Sequence, residues 1–286
     1  MYFDSIDVQV PHGKRKAWGR TALRTFVWAL LFAFSANAAA EEFKIGGAGT
    51  ALATMRQLAN AFVAQNPDIH ITTLPSLGSG GGIKAVLAGA IGLALSARPL
   101  EESERKAGAV ETEFARTPYV FAVPANSRVT TITSAEIAAI YAGKMITWAD
   151  GSPVRVVLRV ASDSDTAFVK SISADIQRAH LEAEARPGVH IAVSDQDAAA
   201  DLERIPGAIG VTTLAQIVSE QRALRAVKID GREPTIKNAA AGSYPYHKRL
   251  FLVTGPQRAP AVERFVAFTR SAAGQKIIAS NGQWTP

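Results

Sequence analysis

From about residue 41 onwards the chain alternates strand-like apolar runs with helix-length segments, and this alternation admits one broad class of fold. Strands that alternate with helices lie side by side in a sheet whose faces the helices cover, which is the α/β arrangement. Phe43–Gly47 reads as a strand, and the loop "GAGT" leads from it into a helical pattern over Leu52–Gln65. Asn66-Pro67-Asp68 ends that helix. Ile69–Leu74, Ile91–Ser96, Tyr119–Pro124, Val154–Val160, Val189–Val193, Ala208–Thr212 and Leu250–Thr254 read as further strands. Helices are expected over Ile83–Gly89, from Thr133 to a stop at Gly143, over Ala167–Ala185 and over Ala261–Ser280. There is no internal repeat. At 286 residues, 48% apolar and 20% charged, the chain can bury one full core or two.

The first 40 residues stand apart. Lys14, Arg15, Lys16, Arg20 and Arg24 precede the apolar run Phe26–Phe34, and Ala36-Asn37-Ala38 and Ala38-Ala39-Ala40 are small-residue cleavage sites. The apolar run is far short of the roughly 20 residues that span a bilayer, so a cleaved signal peptide is expected over 1–40, cut after Ala38 or Ala40. Of the 31 Lys and Arg and 25 Asp and Glu, this segment holds five and two. The remainder carries 26 against 23, a net charge of +3, and has no basic block with interleaved aromatics. No nucleic-acid partner is expected. Without cysteine there is no disulfide, no thiolate metal ligand and no lipid-modified Cys. The five histidines lack metal-ligand spacing, so no metal site is expected, and the location implied is the periplasm without a lipid anchor.

Three stretches between strand and helix share a chemistry: Gly47–Thr50, Gly78–Gly82 and Ser162–Thr166. Each places small or hydroxyl residues where helix N-terminal N–H groups lie unpaired, and such ends bind anions. Taken singly, Thr50, Ser79 and Thr166 read as helix caps. Taken together, at the carboxyl ends of strands, they can converge on one cleft. Neither "GGAGTAL" nor "GSGGGIK" has the spacing G-x-G-x-x-G, and no GKS or GKT occurs, so no nucleotide cofactor is expected. A G-x-S-x-G elbow is also missing, and no His is placed by motif beside a Ser, which disfavours an exported hydrolase. No catalytic residue is assigned.

The stretches "GGAGTALATMRQLANAF", "PSLGSGGGIKAVLAGAIGLALSARPL", "ITSAEIAAIYAGKMITWADGSPV", "RVASDSDTAF", "PGAIGVTTL" and "GQKIIASNGQW" follow the order seen in the phosphate-binding proteins of ABC-type phosphate uptake systems, which the chain resembles. The resemblance implies a type II periplasmic binding protein, with two Rossmann-like lobes and a ligand cleft between them. One lobe would comprise 41–119 with 243–286 and the other 120–242, joined by crossings near Tyr119–Ala125 and Gly242–Leu250. It implies ligand contacts from Gly49, Thr50, Ser79, Gly80, Arg159, Ser164 and Thr166, with Asp163 as the partner that fixes Arg159. Asp165 departs from the pattern, standing where the family has the Gly of S-G-T.

Specificity is expected at Ser96, Ala97 and Arg98. Some relatives carry an Asp where this chain has Ala97, and that carboxylate accepts the proton of monohydrogen phosphate. Its loss relaxes or shifts selectivity, while Arg98 either donates to a fully ionised ligand such as sulfate or a phosphonate or reaches to the surface. The "SDQD" of Ser194–Asp197 reads as a helix cap. The partners implied are a small oxyanion, phosphate before sulfate or phosphonate, and an ABC permease in the inner membrane, with the protein a monomer. A binding module that reports to a membrane sensor is the alternative.

Overall fold

The computed structural model describes Met1 and residues 41–286, so the expected signal peptide and its cleavage site lie outside the described residues. The strands are β1 (Glu41–Gly47), β2 (Ile69–Ser76), β3 (Leu93–Ser96), β4 (Val110–Pro124), β5 (Thr131–Ile132), β6 (Arg155–Arg159), β7 (His190–Ala192), β8 (Ala208–Thr213), β9 (Leu224–Ala226), β10 (Lys228–Ile229) and β11 (His247–Thr254). One sheet runs in the order β2-β1-β3-β11-β4-β8-β6-β7, with β9 also on β4, and β5 pairs β10 separately. Pairing is parallel between β1 and both β2 and β3, and between β6 and both β7 and β8. The central strands β11 and β4 run antiparallel to their neighbours.

β4 is the hinge of this architecture. Its first part, Val110 to Pro118, pairs β11, and from Tyr119 onward it pairs β8 and β9 instead. The apolar cores divide at the same place. Buried members of two clusters, including Met55, Leu58, Leu95 and Phe265 in one and Ile83, Ile91 and Val253 in the other, come from residues up to Ala115 and from Leu250 onward. Those of the other two, including Phe121, Ile137, Leu158 and Tyr244 in one and Val120 and Leu202 in the other, come from residues 119–244. Each such side chain contributes about 1.5–3 kcal/mol on burial, so each half has its own driving force. Thr117, buried at the handover, ties the halves together: its Oγ1 donates to Gly282 O at 2.9 Å and accepts from Ala215 N at 2.9 Å.

Several elements depart from the expected bounds, each for a local reason. The glycine cluster is not a loop. Helix Gly78–Leu87 begins within it, because a Cβ on Gly82 would sit 2.7 Å from Gly47 Cα. Glycine there lets the helix start hard against the end of β1. The segment expected as one helix over Ala167–Ala185 is two, Ser164–Ile172 and Ala174–Glu184, broken where extended Ser173 caps the second through Ile176 N. Ser271 divides the C-terminal segment likewise into Pro260–Thr269 and Ala272–Ser280. β4 begins at Val110, nine residues ahead of expectation, because "VETEFARTP" is charged and exposed where it starts and so lacks the apolar signature of a strand.

Candidate functional site

β6 ends on Arg159, whose side chain is enclosed, the residue being 4% exposed. Nη1 donates to Ala192 O at 3.1 Å and Nη2 to Asp163 Oδ2 at 2.7 Å, while Asp195 Oδ1 stands 3.9 Å from Nη2. Nε is buried and has no hydrogen-bond partner. Burial works against the guanidinium charge, but Asp195, Asp163 and Asp165 outweigh it and raise its pKa.

The turn after β6 is built around that guanidinium. Asp163 caps helix Ser164–Ile172, its Oδ1 accepting from Asp165 N at 2.8 Å while its Oδ2 holds Arg159. The expectation that Thr166 is the cap is therefore corrected: the carboxylate reaches the free N–H first, and Thr166 Oγ1 bonds back to Arg159 O and Val160 O at 3.1 and 3.0 Å. Ser164 opens the helix, and its carbonyl accepts from Tyr119 Oη at 3.3 Å.

Asp165 turns inward onto Lys248 of β11, and both are only 2% exposed. The ammonium also stands 4.9 Å over the Tyr119 ring. Burial pushes the Asp165 carboxyl up to about 6, with Asp163 and Asp195 adding and Lys248 opposing. The Lys248 pKa is raised too: burial lowers it, but Asp165, Asp195 and Asp163 together more than compensate. The two shifts agree physically. Three carboxylates share two cations here, so positive charge is the scarce commodity and negative charge is in excess.

The first loop meets this cluster from the other half of the molecule. Gly49 O accepts from Gln196 Nε2 at 3.2 Å, and a Cβ on Gly49 would lie 2.5 Å from Asp195 Oδ2. Only glycine fits there. Thr50 Oγ1 lies 2.6 Å from Thr213 Oγ1, both buried, and Thr213 also accepts from Gln216 N at 3.2 Å. Thr50, like Ser79, is therefore not a helix cap, since the helices that follow show no side-chain cap bond.

Ser79 Oγ accepts from Ala97 N at 3.0 Å, leaving its own hydrogen to donate, and Gly80 beside it has open space above its Cα. Ser96 Oγ donates to Arg98 O at 2.6 Å, and Ala97 contributes no polar side-chain atom. The Arg98 guanidinium is engaged by Glu104 at 2.8 and 2.7 Å, outside the Arg159 cluster. The structure thus links Arg159, Asp163 and Thr166 in one turn, brings Gly49 against Asp195 and Gln196 and Thr50 against Thr213, and ties Ser79 to Ala97.

Sequence reasoning missed Lys248, Asp195, Gln196 and Thr213. Lys248 had a signal: in β11 it shares the inward side with Leu250 and Leu252, where a lysine requires a buried partner. Asp195 was hidden by its neighbour, since Ser194 does cap helix Asp195–Arg204 in a box with Asp197. Among the described residues no helix is long and apolar enough to cross a membrane, and no group of three His, Asp or Glu could hold a metal ion.

Two α/β halves with separate cores, sharing β4 and meeting where Gly49 and Thr50 reach Asp195 and Thr213 and where Lys248 reaches Asp165, define a two-lobed solute-binding fold. The chain belongs to the PBP superfamily, whose domain model matches residues 33–273. It is 24% identical over 245 residues to the phosphate-binding protein PstS of Borreliella burgdorferi, covering 83% of this chain and 88% of that one. The Bacillus subtilis phosphate-binding protein PstS is 27% identical over 239 residues, 80% of this chain and 75% of its own. A phosphate-bound substrate-binding protein of the phosphate ABC transporter class from Clostridium perfringens superposes with a TM-score of 0.73 at 24% identity, over 86% of this chain and all of that one.

Proposed function

We propose that the protein captures an inorganic oxyanion, phosphate before all others, and hands it to an ABC permease in the inner membrane. The observation that carries this reading is the buried Arg159, held rigid by Asp163 and Ala192 O but with Nε unpaired, facing the loop of Gly49 and Thr50 through Asp195. A pre-positioned guanidinium is costly to bury and gains its return from an anion that accepts its remaining N–H. The relatives named phosphate-binding proteins supply the ligand.

Residues 41–119 with 243–286 act as one lobe and 120–242 as the other, hinged at the Pro118–Tyr119 handover and in β11. The division of the apolar cores supports this to within two residues, Tyr119 and Tyr244 packing into the core of the second lobe. On closure, Gly49 and Thr50 arrive against Asp195 and Thr213, and Ser79 offers its hydroxyl hydrogen from the first lobe. Of the paired Thr50 and Thr213 hydroxyls one hydrogen is spent on the other oxygen, leaving one for the anion. Such closure excludes water and makes each charge-assisted bond count. The protein works as a periplasmic monomer, exported by the segment 1–40, and turns nothing over.

Calorimetric titration with inorganic phosphate tests the reading. Saturable one-to-one binding is expected in the wild type, with binding at micromolar phosphate lost in Arg159→Ala while the fold persists. Absence of phosphate binding in the folded wild type would refute it, and wild-type affinity in Arg159→Ala would remove Arg159 from the site.

A further inference from the structure

Helix Ser164–Ile172, whose first turn carries Ser164 and Thr166, is anchored on β4 and β11. Tyr119 of β4 stacks on Phe168 with ring centroids 3.9 Å apart, and its Oη donates to Ser164 O at 3.3 Å. Lys248 of β11 holds Asp165, and both are 2% exposed. Where the resembling family has glycine, this chain has therefore buried a carboxylate between two residues of the anion turn, together with a cation that offsets it.

What the pair does follows from Arg159. Its Nε is buried and unpaired, although Asp195, Asp163 and Asp165 all act on the guanidinium. Asp163 accepts from Nη2, Ala192 O accepts from Nη1, and Asp165 is engaged by Lys248 instead. Without Lys248, Asp165 is a buried carboxylate with Arg159 as the cation left acting on it. Such a group is costly to leave without a donor, so it draws on the free N–H of Arg159. An arriving oxyanion then loses a charge-assisted donor and meets an uncompensated like charge.

We propose that Lys248 is a positioning residue for oxyanion binding: by engaging Asp165 it keeps Arg159 Nε free for the ligand. This rests on the reading that the oxyanion binds at Arg159. The charge count points the same way. Asp163, Asp165 and Asp195 share Arg159 and Lys248, an excess of one acid. Lys248→Met raises the excess to two, and Asp165→Asn in that background returns it to one.

The test is titration of the full protein with inorganic phosphate, as wild type, Lys248→Met, Asp165→Asn and the double variant. It is run where circular dichroism shows every variant folded, so that lost stability does not pass for lost affinity. Lys248→Met is expected to bind roughly 10- to 150-fold more weakly, Asp165→Asn at least as tightly as wild type, and the double variant within about fivefold of wild type. In the unliganded protein the Arg159 Nε–H resonance, identified by its loss in Arg159→Ala, should shift in Lys248→Met and return in the double variant. Should Lys248→Met not fold, Lys248→Gln is judged by the same comparison. A double variant as weak as Lys248→Met means that Lys248 acts by its own charge rather than through Asp165, and overturns the proposal while the oxyanion function stands. Wild-type affinity in Lys248→Met, or a resonance it does not move, overturns it in the same way. A wild type that binds no phosphate, or wild-type affinity in Arg159→Ala, overturns the reading beneath it as well.

Discussion

Replacing Lys248 by Met removes one of two cations from a buried cluster of three carboxylates, and the cost follows from that imbalance. Asp165 is left as a buried acid without a counter-charge, a change that typically costs about 3–5 kcal/mol. For a chain of this size the loss is roughly 6–20 °C in Tm, or a urea midpoint lower by about 1–2.5 M. Asp165→Asn behaves differently. It brings the acids down to two against two cations, with Asp163 and Asp195 still near the ammonium, so it should cost less than about 1 kcal/mol at neutral pH. The pH dependence sharpens the contrast. Asp165 takes up a proton near pH 6 in the folded protein, above its ordinary 3.8, so its ionised form is the one that burial disfavours. Below pH 6 the neutral carboxyl no longer needs Lys248, and the deficit of Lys248→Met should shrink as pH falls from 7.5 to 5. Urea denaturation of the three proteins at both pH values reads this out. Equal destabilisation by the two substitutions, or a Lys248→Met deficit that does not change with pH, would refute the charge-balance argument.

Two further outcomes are expected. Gly49→Ala places a Cβ 2.5 Å from Asp195 Oδ2 and 2.7 Å from Gln196 Oε1, so closure should be strained and phosphate affinity fall by roughly 5- to 100-fold, with the unliganded unfolding midpoint nearly unchanged. His180 is buried against Tyr141, its Nδ1 making no hydrogen bond and lying 3.4 Å from Glu184 Oε1, and burial, opposed by Glu184, holds its pKa below 6.5. The unfolded chain then binds the proton more readily, so the stability gained above pH 6.5 is lost as pH falls through and below it. Urea midpoints from pH 7.5 to 5 should show the wild type losing more, or gaining less, stability on acidification than His180→Gln; the same pH dependence in both would dismiss His180.

The α/β class was legible because strand and helix patterns alternate on a scale set by local periodicity. The stretches quoted for the family resemblance reached further, to Arg159 and the turn that holds it. What sequence did not reveal was anything decided by contact between distant segments. Gly78–Gly82 reads as a loop until Gly47 is seen beneath Gly82, since the space that requires glycine belongs to another strand. Thr50 and Thr166 read as caps because capping is local, whereas their partners, Thr213 and the β6 carbonyls, are set by the tertiary fold or by the turn's curvature. Asp165 looked like a damaged S-G-T motif. It is one end of a pair whose other end, Lys248, lies 83 residues away on the inward side of β11.

The most direct measurement is a crystal structure of the protein grown with inorganic phosphate. The account predicts one phosphate enclosed between Gly49–Thr50 and the Arg159–Thr166 turn, within hydrogen-bond distance of Arg159 Nε. A phosphate bound elsewhere, or one enclosed there without contact to Arg159, would contradict it.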